Sequence, residues 1–384
     1  MDKVRYGIVG IGKQGSNYAK RLKKGMDKNG VLTAVCDIDE GRRKWAESNL
    51  EGVKVFSDRA DMFASGLIDA VIIDTPHYAH PGIAKEALSA GLHVLCDKPA
   101  GVYTKAVREA AEFGATKPEL KFGILYNQRT NKVYVKAKEI IDSGRLGQLK
   151  RIVWIITNWY RPQAYYDQGG WRGTWSGEGG GVLINQDPHQ LDLFTWLAGR
   201  PVKRVWSVCK INVENDVTAV CEFEGGAEGV FITSTHDAPG TNRLEITGDG
   251  GKLIIEGNSD ITMKLTFVEN ATPEPKFSAE NKVFMGKIPN KTYKYKLGLF
   301  DMIKGAIEQQ HINVIRNFSL VVLGKESKLI APYADGLNGL TFSNAIHLSG
   351  WTGKEVVYPI DEELYIEELE KRIAEEKQDG AKKA

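Results

Sequence analysis

The stretch Val4-Arg5-Tyr6-Gly7-Ile8-Val9-Gly10-Ile11-Gly12-Lys13-Gln14-Gly15 determines how the first part of the chain folds. An apolar run ends in the pattern G-x-G-x-x-G, and residues 16–24 continue with a sequence compatible with a helix. Strand, glycine turn and helix in this order are the context in which the pattern indicates a dinucleotide-binding turn. Gly10 permits a tight turn, Gly12 lets the backbone approach a pyrophosphate, and Gly15 lets the helix pack closely on the strand. The N-terminus of the helix then offers its N–H groups to the phosphates.

An acidic residue after the second apolar run supports the interpretation as a dinucleotide-binding turn. This support is needed because a glycine turn alone also occurs at sites that bind no ligand. Residues 31–36 form that run and Asp37 follows it, close to the offset of about 20 residues expected for an acid that binds ribose. A carboxylate there accepts hydrogen bonds from the ribose hydroxyls and repels a 2′-phosphate, so we predict NAD rather than NADP. Arg42 or Arg43 could reach a 2′-phosphate, but we interpret both as a solvated helix face.

The composition is that of an ordinary globular protein of two domains. The chain has 384 residues, 42% of them hydrophobic, and a formal net charge of +2. This balance gives no sign of a nucleic-acid or membrane-surface partner. We see neither a leader sequence nor a long uncharged apolar run, and we expect a cytoplasmic protein. Its four cysteines form no C-x-x-C pair, which predicts buried free thiols and no metal site; they are Cys36, Cys96, Cys209 and Cys221.

Strands and helices alternate up to residue 125, which predicts a parallel, doubly wound sheet. Predicted strands cover residues 53–56, 70–73, 93–96 and 122–125, and predicted helices cover 58–64, 81–90 and 102–115. Ligands bind at the carboxyl ends of the strands in such a sheet. Thr75-Pro76-His77 and Asp97-Lys98-Pro99 both follow strands, so we expect both segments to face the cofactor. Lys98 is then a candidate for proton transfer, although a lysine after a strand is often only a surface residue.

These features together resemble the Gfo/Idh/MocA oxidoreductase family. The likeness rests on the glycine pattern, on Thr75-Pro76 and on Asp97-Lys98-Pro99, where the family more often has Glu-Lys-Pro. It continues through Asn127-Gln128-Arg129 to about Trp351. The resemblance implies an α/β chain with an N-terminal Rossmann domain and a C-terminal α+β domain. The large, mostly antiparallel open sheet of the second domain commonly forms the oligomer interface in this family.

We therefore predict an NAD-binding Rossmann domain over residues 1–125 and a substrate-binding and oligomerisation domain over residues 126–384, with a charged helical tail from about residue 361. The expected assembly is a homodimer or homotetramer through the C-terminal sheet. The predicted cofactor-binding residues come from the glycine turn, the ribose acid and the strand ends: Gly10, Ile11, Gly12, Lys13, Gln14, Gly15, Asp37, Thr75, Pro76, His77, His80, Lys98, Pro99 and Asn127.

A glycine-rich and aromatic segment over residues 160–181 is the most distinctive part of the second half. It contains Tyr160, Arg161, Tyr165, Tyr166, Trp171, Arg172 and Trp175. A loop of this length without secondary structure is usually functional or disordered, and its aromatic content argues against disorder. Aromatic rings and arginines suit a sugar or another polyol. Packing on its own domain or on a neighbouring subunit is an equally good interpretation.

The stretch after this loop carries a second group of candidate residues. Asn185, His189 and Asp192 fall at i, i+4 and i+7, on one face of a helix. Pro188 requires that the helix either begins at Asp187 or begins earlier and bends. A histidine is a natural general acid or base near neutral pH, but a lone helical histidine is more often structural.

The resemblance favours the functional interpretation, because His189 and Asp192 match the family's His-x-x-Asp element. The family often has an aspartate where this chain has Asn185, which can orient a hydroxyl but cannot take its proton. Lys98 and His189 then remain as the ionisable pair.

The remainder of the chain is rich in predicted strands. We place strands at residues 149–159, 202–213, 217–223, 229–235, 244–247 and 252–256, with a hairpin turn at Gly225-Gly226. Predicted helices cover residues 133–143, 311–323, 336–349 and 361–377.

The predicted function is an NAD-dependent oxidoreductase, a dehydrogenase or ketoreductase, acting on a sugar, a glycoside or a cyclic polyol. His189 accepts the hydroxyl proton and Lys98 stabilises the developing oxyanion. Asn185 holds a neighbouring hydroxyl, and Arg129 with Trp171 or Arg172 lines the pocket. Two alternatives stay open: a glycosidase that uses NAD for transient oxidation, and a non-catalytic NAD-binding regulator.

Overall fold

The computed structural model describes residues 2–167, 171–210, 214–259, 262–298 and 306–383. Their contacts divide the chain into two compact units. The first unit contains residues 1–130 and 308–340, and the second unit contains residues 131–307 and 341–384.

A six-stranded sheet forms the centre of the first unit. Its strands are β1 (Val4–Val9), β2 (Gly30–Cys36), β3 (Lys54–Phe56), β4 (Ala70–Ile73), β5 (His93–Cys96) and β6 (Phe122–Ile124). The connecting helices are Lys13–Lys23, Glu40–Asn49, Arg59–Ala64, His80–Ser89 and Thr104–Ala115. All strand pairs are parallel and the order is β3-β2-β1-β4-β5-β6. This confirms the predicted doubly wound sheet, with its switch point between β1 and β4.

Residues 308–340 return to the first unit from far along the chain. In the helix Ala306–Val322, Ile315 and Phe318 are buried in the same core as Tyr6 of β1. The Ser319 hydroxyl lies 2.7 Å from the Tyr6 hydroxyl and donates to a carboxylate oxygen of Asp27 at 2.6 Å. The sequence predicted this helix but placed it in the C-terminal domain, because an amphipathic pattern shows a buried face and not the sheet it packs against.

A nine-stranded sheet forms the centre of the second unit. Its strands are β7 (Leu149–Ile156), β8 (Val202–Cys209), β9 (Asp216–Phe223), β10 (Glu228–Ser234), β11 (Asn242–Gly248), β12 (Gly251–Glu256), β13 (Lys264–Asn270), β14 (Asn290–Lys296) and β15 (Val356–Val357). The order is β14-β13-β12-β11-β7-β10-β9-β8-β15, and only the pair β7 and β10 is parallel among these described strands. The mostly antiparallel sheet is therefore confirmed.

Helices cover one face of this sheet. They are Lys132–Asp142, Pro188–Ala198 and Gly336–Thr352, and the chain also forms the helices Gln163–Tyr166, Glu274–Glu280 and Glu362–Lys383. Phe194 of the second helix stacks on Phe342 with ring centroids 5.3 Å apart, and both rings contact Phe231 of β10. These aromatic contacts anchor the helical layer to the sheet.

Several predicted bounds in the second unit need correction. The strand predicted to reach residue 159 ends at Ile156, and the one predicted to reach residue 213 ends at Cys209, with residues 211–213 outside the described residues. The long loop contains a helical turn at Gln163–Tyr166. Strands β13 and β14 were not predicted, since each contains few apolar residues among lysines, threonines and asparagines.

Replacing Ser319 with alanine should lower the free energy of unfolding by about 1–3 kcal/mol, because it leaves the buried Tyr6 hydroxyl and Asp27 carboxylate without their shared partner. Urea unfolding followed by circular dichroism measures the change. Ser48→Ala, on an exposed helix face, serves as the control and should stay within about 0.5 kcal/mol of wild type. Equal losses in both variants would contradict the role of this network.

Candidate active site

The glycine turn follows β1 and packs directly against the end of β4. Gly10 has a φ of +87°, and a Cβ there would lie 2.2 Å from the carbonyl oxygen of Asp74. A Cβ at Gly15 would lie 2.0 Å from the Gly10 carbonyl oxygen, whereas one at Gly12 would meet no atom within 4 Å. Two of the glycines thus allow close backbone packing, and the third leaves open space at the start of the helix Lys13–Lys23. This cradle fits a pyrophosphate.

Asp37 is held at the end of β2 beside the same turn. Its carboxylate accepts the backbone N–H of Ile11 at 2.8 Å and that of Asp39 at 2.9 Å. Arg43 donates to the backbone carbonyls of Asp37 and Ile38, so its guanidinium braces the strand end. Arg42 lines an open cavity with Ser16, Lys20, Asp39, Gly41 and Trp45. The carboxylate is oriented next to the glycine cradle, as an acid that binds ribose must be.

Two other predicted cofactor residues present buried acceptor or donor atoms. The Thr75 hydroxyl oxygen and Asn127 Oδ1 are buried and have no hydrogen-bond partner among the described residues. Asn127 Nδ2 donates to Gln310 at 3.1 Å, which fixes the orientation of the amide. Such buried, unsatisfied polar atoms at strand ends fit a cofactor that supplies the missing partners.

His80, also predicted to bind cofactor, braces two strand ends. Its ring nitrogens lie 2.7 Å from the carbonyl oxygens of Pro99 and Thr75. Burial lowers the pKa of His80, against the hydrogen bonds to the Pro99 and Thr75 carbonyls, which raise it. The side chain is fully buried, so it contributes to the site by holding the segments after β4 and β5 together.

A pair of acids, the partly buried Asp74 and the buried Asp97, connects the glycine turn to Lys98. Asp74 accepts the backbone N–H of Gly15 and shares a hydrogen bond with Asp97. Asp97 also accepts the Tyr18 hydroxyl at 3.1 Å and the backbone N–H of Lys98 at 2.8 Å. Burial and the neighbouring Asp97 carboxylate raise the pKa of Asp74 well above its usual range, against the opposing charge of Lys98. Asp74 was missed in the sequence, although its place directly after β4 was a usable signal.

The second unit holds the remaining candidates on two short helical segments. Residues 182–186 form a π-helical turn, and the α-helix begins at Pro188 after Asp187. The alternative in which the helix begins at Asp187 with Pro188 in its first turn is therefore confirmed, and Asn185 lies in the preceding π-helical turn rather than on the same α-helix as His189 and Asp192. Over residues 181–195, only Asn185, Gln186 and His189 are partly exposed, and Asp192 is buried. These three side chains form the accessible surface of an otherwise buried stretch.

The aromatic loop places further predicted residues beside Asn185. The Tyr165 hydroxyl donates to Asn185 Oδ1 at 3.0 Å and accepts a hydrogen bond from Arg172 at 3.1 Å. The Arg172 guanidinium lies 4.7 Å from the centre of the Trp171 ring and 5.1 Å from that of Tyr165. Gln186 donates to Tyr165 at 3.0 Å. The structure thus brings Asn185, Trp171 and Arg172 together and adds Tyr165 and Gln186.

Two carboxylates, the buried Glu214 and the partly exposed Glu376, hold this loop in place. Glu214 accepts the backbone N–H of Gly181 at 2.6 Å and lies 3.1 Å from the buried His347 ring. Glu376, on the C-terminal helix, accepts the backbone N–H groups of Trp175 and Ser176 at 2.9 and 3.0 Å. The backbone N–H groups that they accept belong to a segment without regular secondary structure. The carboxylates therefore supply the hydrogen-bond acceptors that backbone carbonyls supply in a sheet or a helix.

Arg129 lies in the first unit and is buried. Its guanidinium forms an ion pair with Asp335 at 2.6 Å and donates to the Ile330 carbonyl at 3.2 Å. These contacts tie residues 127–130 to the returning segment. We therefore leave Arg129 out of the proposed substrate contacts below.

All four cysteines are buried free thiols, as predicted. Burial raises the pKa of Cys36 to about 11 and that of Cys209 to about 12. Within the described ranges, no three or more histidine, cysteine or acidic side chains are placed to hold a metal ion. No helix in that part of the chain combines the length and apolarity needed to cross a bilayer.

The Asp74→Asn variant should gain stability relative to wild type as pH rises. A neutral amide accepts the Gly15 N–H and donates to Asp97, as protonated Asp74 does. The pKa of Asp74 is raised in the folded protein. Its contribution to the stability of the fold is therefore complete below the ordinary aspartate pKa of about 4, and it is lost as pH rises through the pKa of Asp74 in the folded protein. We expect a relative gain of about 1–3 kcal/mol between acidic and alkaline pH, measured by urea unfolding.

The control is Asp58→Asn, since Asp58 caps an exposed helix start and asparagine is an equally good cap. Its stability should follow the wild-type pH profile. A profile for Asp74→Asn that runs parallel to wild type would show that Asp74 is ionised in the folded protein.

Both units match known protein families. Residues 4–120 match a family model described as an oxidoreductase family with an NAD-binding Rossmann fold, and residues 134–254 match the GFO/IDH/MocA C-terminal domain. The chain is 24% identical to myo-inositol 2-dehydrogenase of Thermotoga maritima over 273 residues, 68% of this chain and 78% of that protein. It is 30% identical to inositol 2-dehydrogenase of Salmonella typhimurium over 210 residues, 53% of this chain and 56% of that protein.

Solved structures extend the likeness over nearly the whole chain. The WlbA dehydrogenase of Bordetella pertussis, solved in complex with NADH and UDP-GlcNAcA, has a TM-score of 0.77 and 25% identity, covering 94% of this chain and 99% of that one. The scyllo-inositol dehydrogenase of Lactobacillus casei shares the fold, with a TM-score of 0.71 and 21% identity over 92% of this chain and 99% of that one. The glycine cradle, the oriented Asp37 and these matches lead to one conclusion: the chain belongs to the GFO/IDH/MocA family and is an NAD-binding dehydrogenase.

Proposed function

We propose that the protein is an NAD-dependent dehydrogenase that interconverts a ring hydroxyl and the corresponding ketone of a cyclic polyol or a sugar. The observation that carries this proposal is the accessible group of Asn185, Gln186 and His189 beside Trp171 and Arg172. A polyol ring offers C–H faces to aromatic rings and hydroxyl groups to amide and guanidinium groups. The printed names of the relatives, inositol dehydrogenases and a dehydrogenase bound to UDP-GlcNAcA, support this substrate class.

The residues divide the chemistry between holding the cofactor and moving one proton. The glycine cradle and Asp37 hold NAD, while Thr75 and Asn127 offer polar atoms to it. Bound NAD supplies the acceptor for the hydride. His189 accepts the hydroxyl proton in the oxidation direction, since a neutral imidazole is a suitable base near pH 7. The Lys98 ammonium stabilises the negative charge that develops on the substrate oxygen. In the reduction direction the proton moves the opposite way.

The Lys98→Met and His189→Ala variants should each lower kcat by about 10²–10⁴-fold, because the first removes the charge that stabilises the substrate oxygen and the second removes the proton acceptor. The substrate is chosen first, by screening inositols, free sugars and nucleotide-linked uronic acids for NADH formation with wild type. Fluorescence titration should show NADH affinity for His189→Ala close to wild type. His236→Ala is the matched control, since His236 is exposed in the same unit. Unchanged kcat in both active-site variants would contradict the assigned roles.

The same screen separates the alternative functions. Release of free sugar from a glycoside without net NADH would identify a glycosidase that recycles its NAD. Tight NAD binding without turnover on any member of the panel would identify a regulator.

The cytoplasmic location also stays a prediction.

We further propose that a second copy of the chain covers the face of the nine-stranded sheet opposite to the helices described above. Ser207 points to the helical layer, where its hydroxyl donates to the Ile346 carbonyl. The alternate side chains of the two adjacent strands point the other way, and Trp206, Val208 and Val220 are 47%, 55% and 45% exposed. A contiguous exposed apolar face of this kind is typical of a protein–protein interface.

Trp206→Arg should halve or quarter the molar mass measured by light scattering at equal concentration, because a buried unpaired charge opposes association. Val283→Arg adds the same charge at an exposed apolar residue outside the strands and should leave the mass unchanged. A wild-type chain that is already monomeric would contradict the assembly.

A further inference from the structure

Glu178 is an acid that the loop buries next to the proposed substrate residues. Its side chain is 1% exposed, and Oε2 accepts the backbone N–H of Gly173 at 2.6 Å. Its other oxygen, Oε1, accepts a hydrogen bond from Asn185 Nδ2 and lies 3.9 Å from the Arg172 guanidinium. A carboxylate buried to this degree is costly unless donors stabilise its charge. Two of the donors here are residues that we propose to contact substrate.

The chemistry of these groups fixes the direction of every hydrogen bond in the cluster. A carboxylate only accepts, so Asn185 must turn its NH2 group to Glu178 and its Oδ1 to the Tyr165 hydroxyl and to Gln186. At the other end, Arg161 only donates, so Gln186 must turn its oxygen to Arg161, at 2.6 Å. The hydrogen bonds therefore run in one direction, from the Arg161 guanidinium through two amides to the Glu178 carboxylate. Opposite charges at the two ends stabilise this polarity.

From this arrangement we infer that Glu178 is a positioning residue of the dehydrogenase. Its carboxylate selects the orientation of the Asn185 amide and holds Arg172 beside Trp171, so that Asn185 presents a fixed amide and Arg172 presents fixed N–H donors to a polyol hydroxyl. Glu178 of the aromatic loop thus supplies a negative charge next to the proposed substrate contacts, whereas residue 185 carries a neutral amide. This inference rests on the proposed function, because it concerns the same substrate contacts.

Glu178→Gln tests the inference while keeping the side-chain volume. The amide keeps one acceptor for the Gly173 N–H, but its NH2 group then faces Asn185. Asn185 must turn over to accept that hydrogen bond, which directs its own NH2 group at the Tyr165 hydroxyl and at Gln186. We expect KM for the polyol or sugar to rise about tenfold or more, since one misdirected buried hydrogen bond has that effect. NADH affinity should stay unchanged.

The double variant Glu178→Gln with Asn185→Asp provides the rescue. A carboxylate at position 185 accepts from the new amide at position 178, from Tyr165 and from Gln186, so every donor again meets an acceptor. KM should fall at least about threefold below that of Glu178→Gln alone, as the strong coupling of contacting residues allows. Asn185→Asp alone places two carboxylates in contact, which raises the pKa of the pair. That variant should lose activity as pH rises through the neutral range, while wild type does not.

Glu280→Gln, at an exposed helical position, is the matched control and should behave as wild type. The inference fails if Glu178→Gln leaves KM unchanged, or if the double variant is no better than the single one, because a merely structural role predicts no rescue. Wild type, the single variants Glu178→Gln and Asn185→Asp and the double variant are also compared by thermal unfolding, which needs no substrate. Coupling between positions 178 and 185 in unfolding, with no turnover by wild type on any polyol or sugar, would refute the proposed function while leaving the contact in place. Absence of that coupling would refute the inference itself.

Discussion

The close packing of the glycine turn on the end of β4 is the constraint on which the first unit depends. A side chain at Gly10 or Gly15 would collide with backbone atoms, so only glycine lets the chain reverse here and begin its first helix at the switch point of the sheet. Asp74 then bonds Gly15 and shares a hydrogen bond with Asp97, which binds the backbone of Lys98. The glycine turn and the strand end that carries Lys98 are thereby held by one hydrogen-bonded connection.

In the second unit, the main structural requirement is to hold a long loop rich in glycine in one conformation. Backbone N–H groups in such a loop lack partners in a sheet or helix, and leaving them buried without partners would be costly. Three acids accept them: Glu178 at Gly173, Glu376 at Trp175 and Ser176, and Glu214 at Gly181. The loop therefore packs on its own unit, and it still leaves Trp171 and Arg172 beside Asn185. The C-terminal helix takes part through Glu376, although its sequence shows only a charged amphipathic pattern.

The candidate cofactor-binding residues could be proposed from the sequence because their spacing along the chain reflects local geometry. A strand, a turn and a helix adjacent in sequence are adjacent in space, so Gly10, Gly12 and Gly15 could be assigned from the pattern, and Asp37 from its distance along the chain. The same reasoning had no signal for Glu178, and it did not single out Asp74 although that residue directly follows β4. Each is one acid among many, and what distinguishes it is burial against a partner that lies far away in sequence or on the next turn of a loop.

The sequence by itself determined the class of sheet in the first unit, the preference for NAD and, through family resemblance, the antiparallel sheet of the second unit. Tertiary structure alone decided that residues 308–340 return to the first sheet, that the chain changes from a π-helical turn to an α-helix at Asp187, and that Glu178 orients Asn185. The reason is physical. Hydrophobic periodicity and turn chemistry are local and can be recognised in short windows, whereas the partner of a buried face or a buried charge is chosen by packing between distant segments.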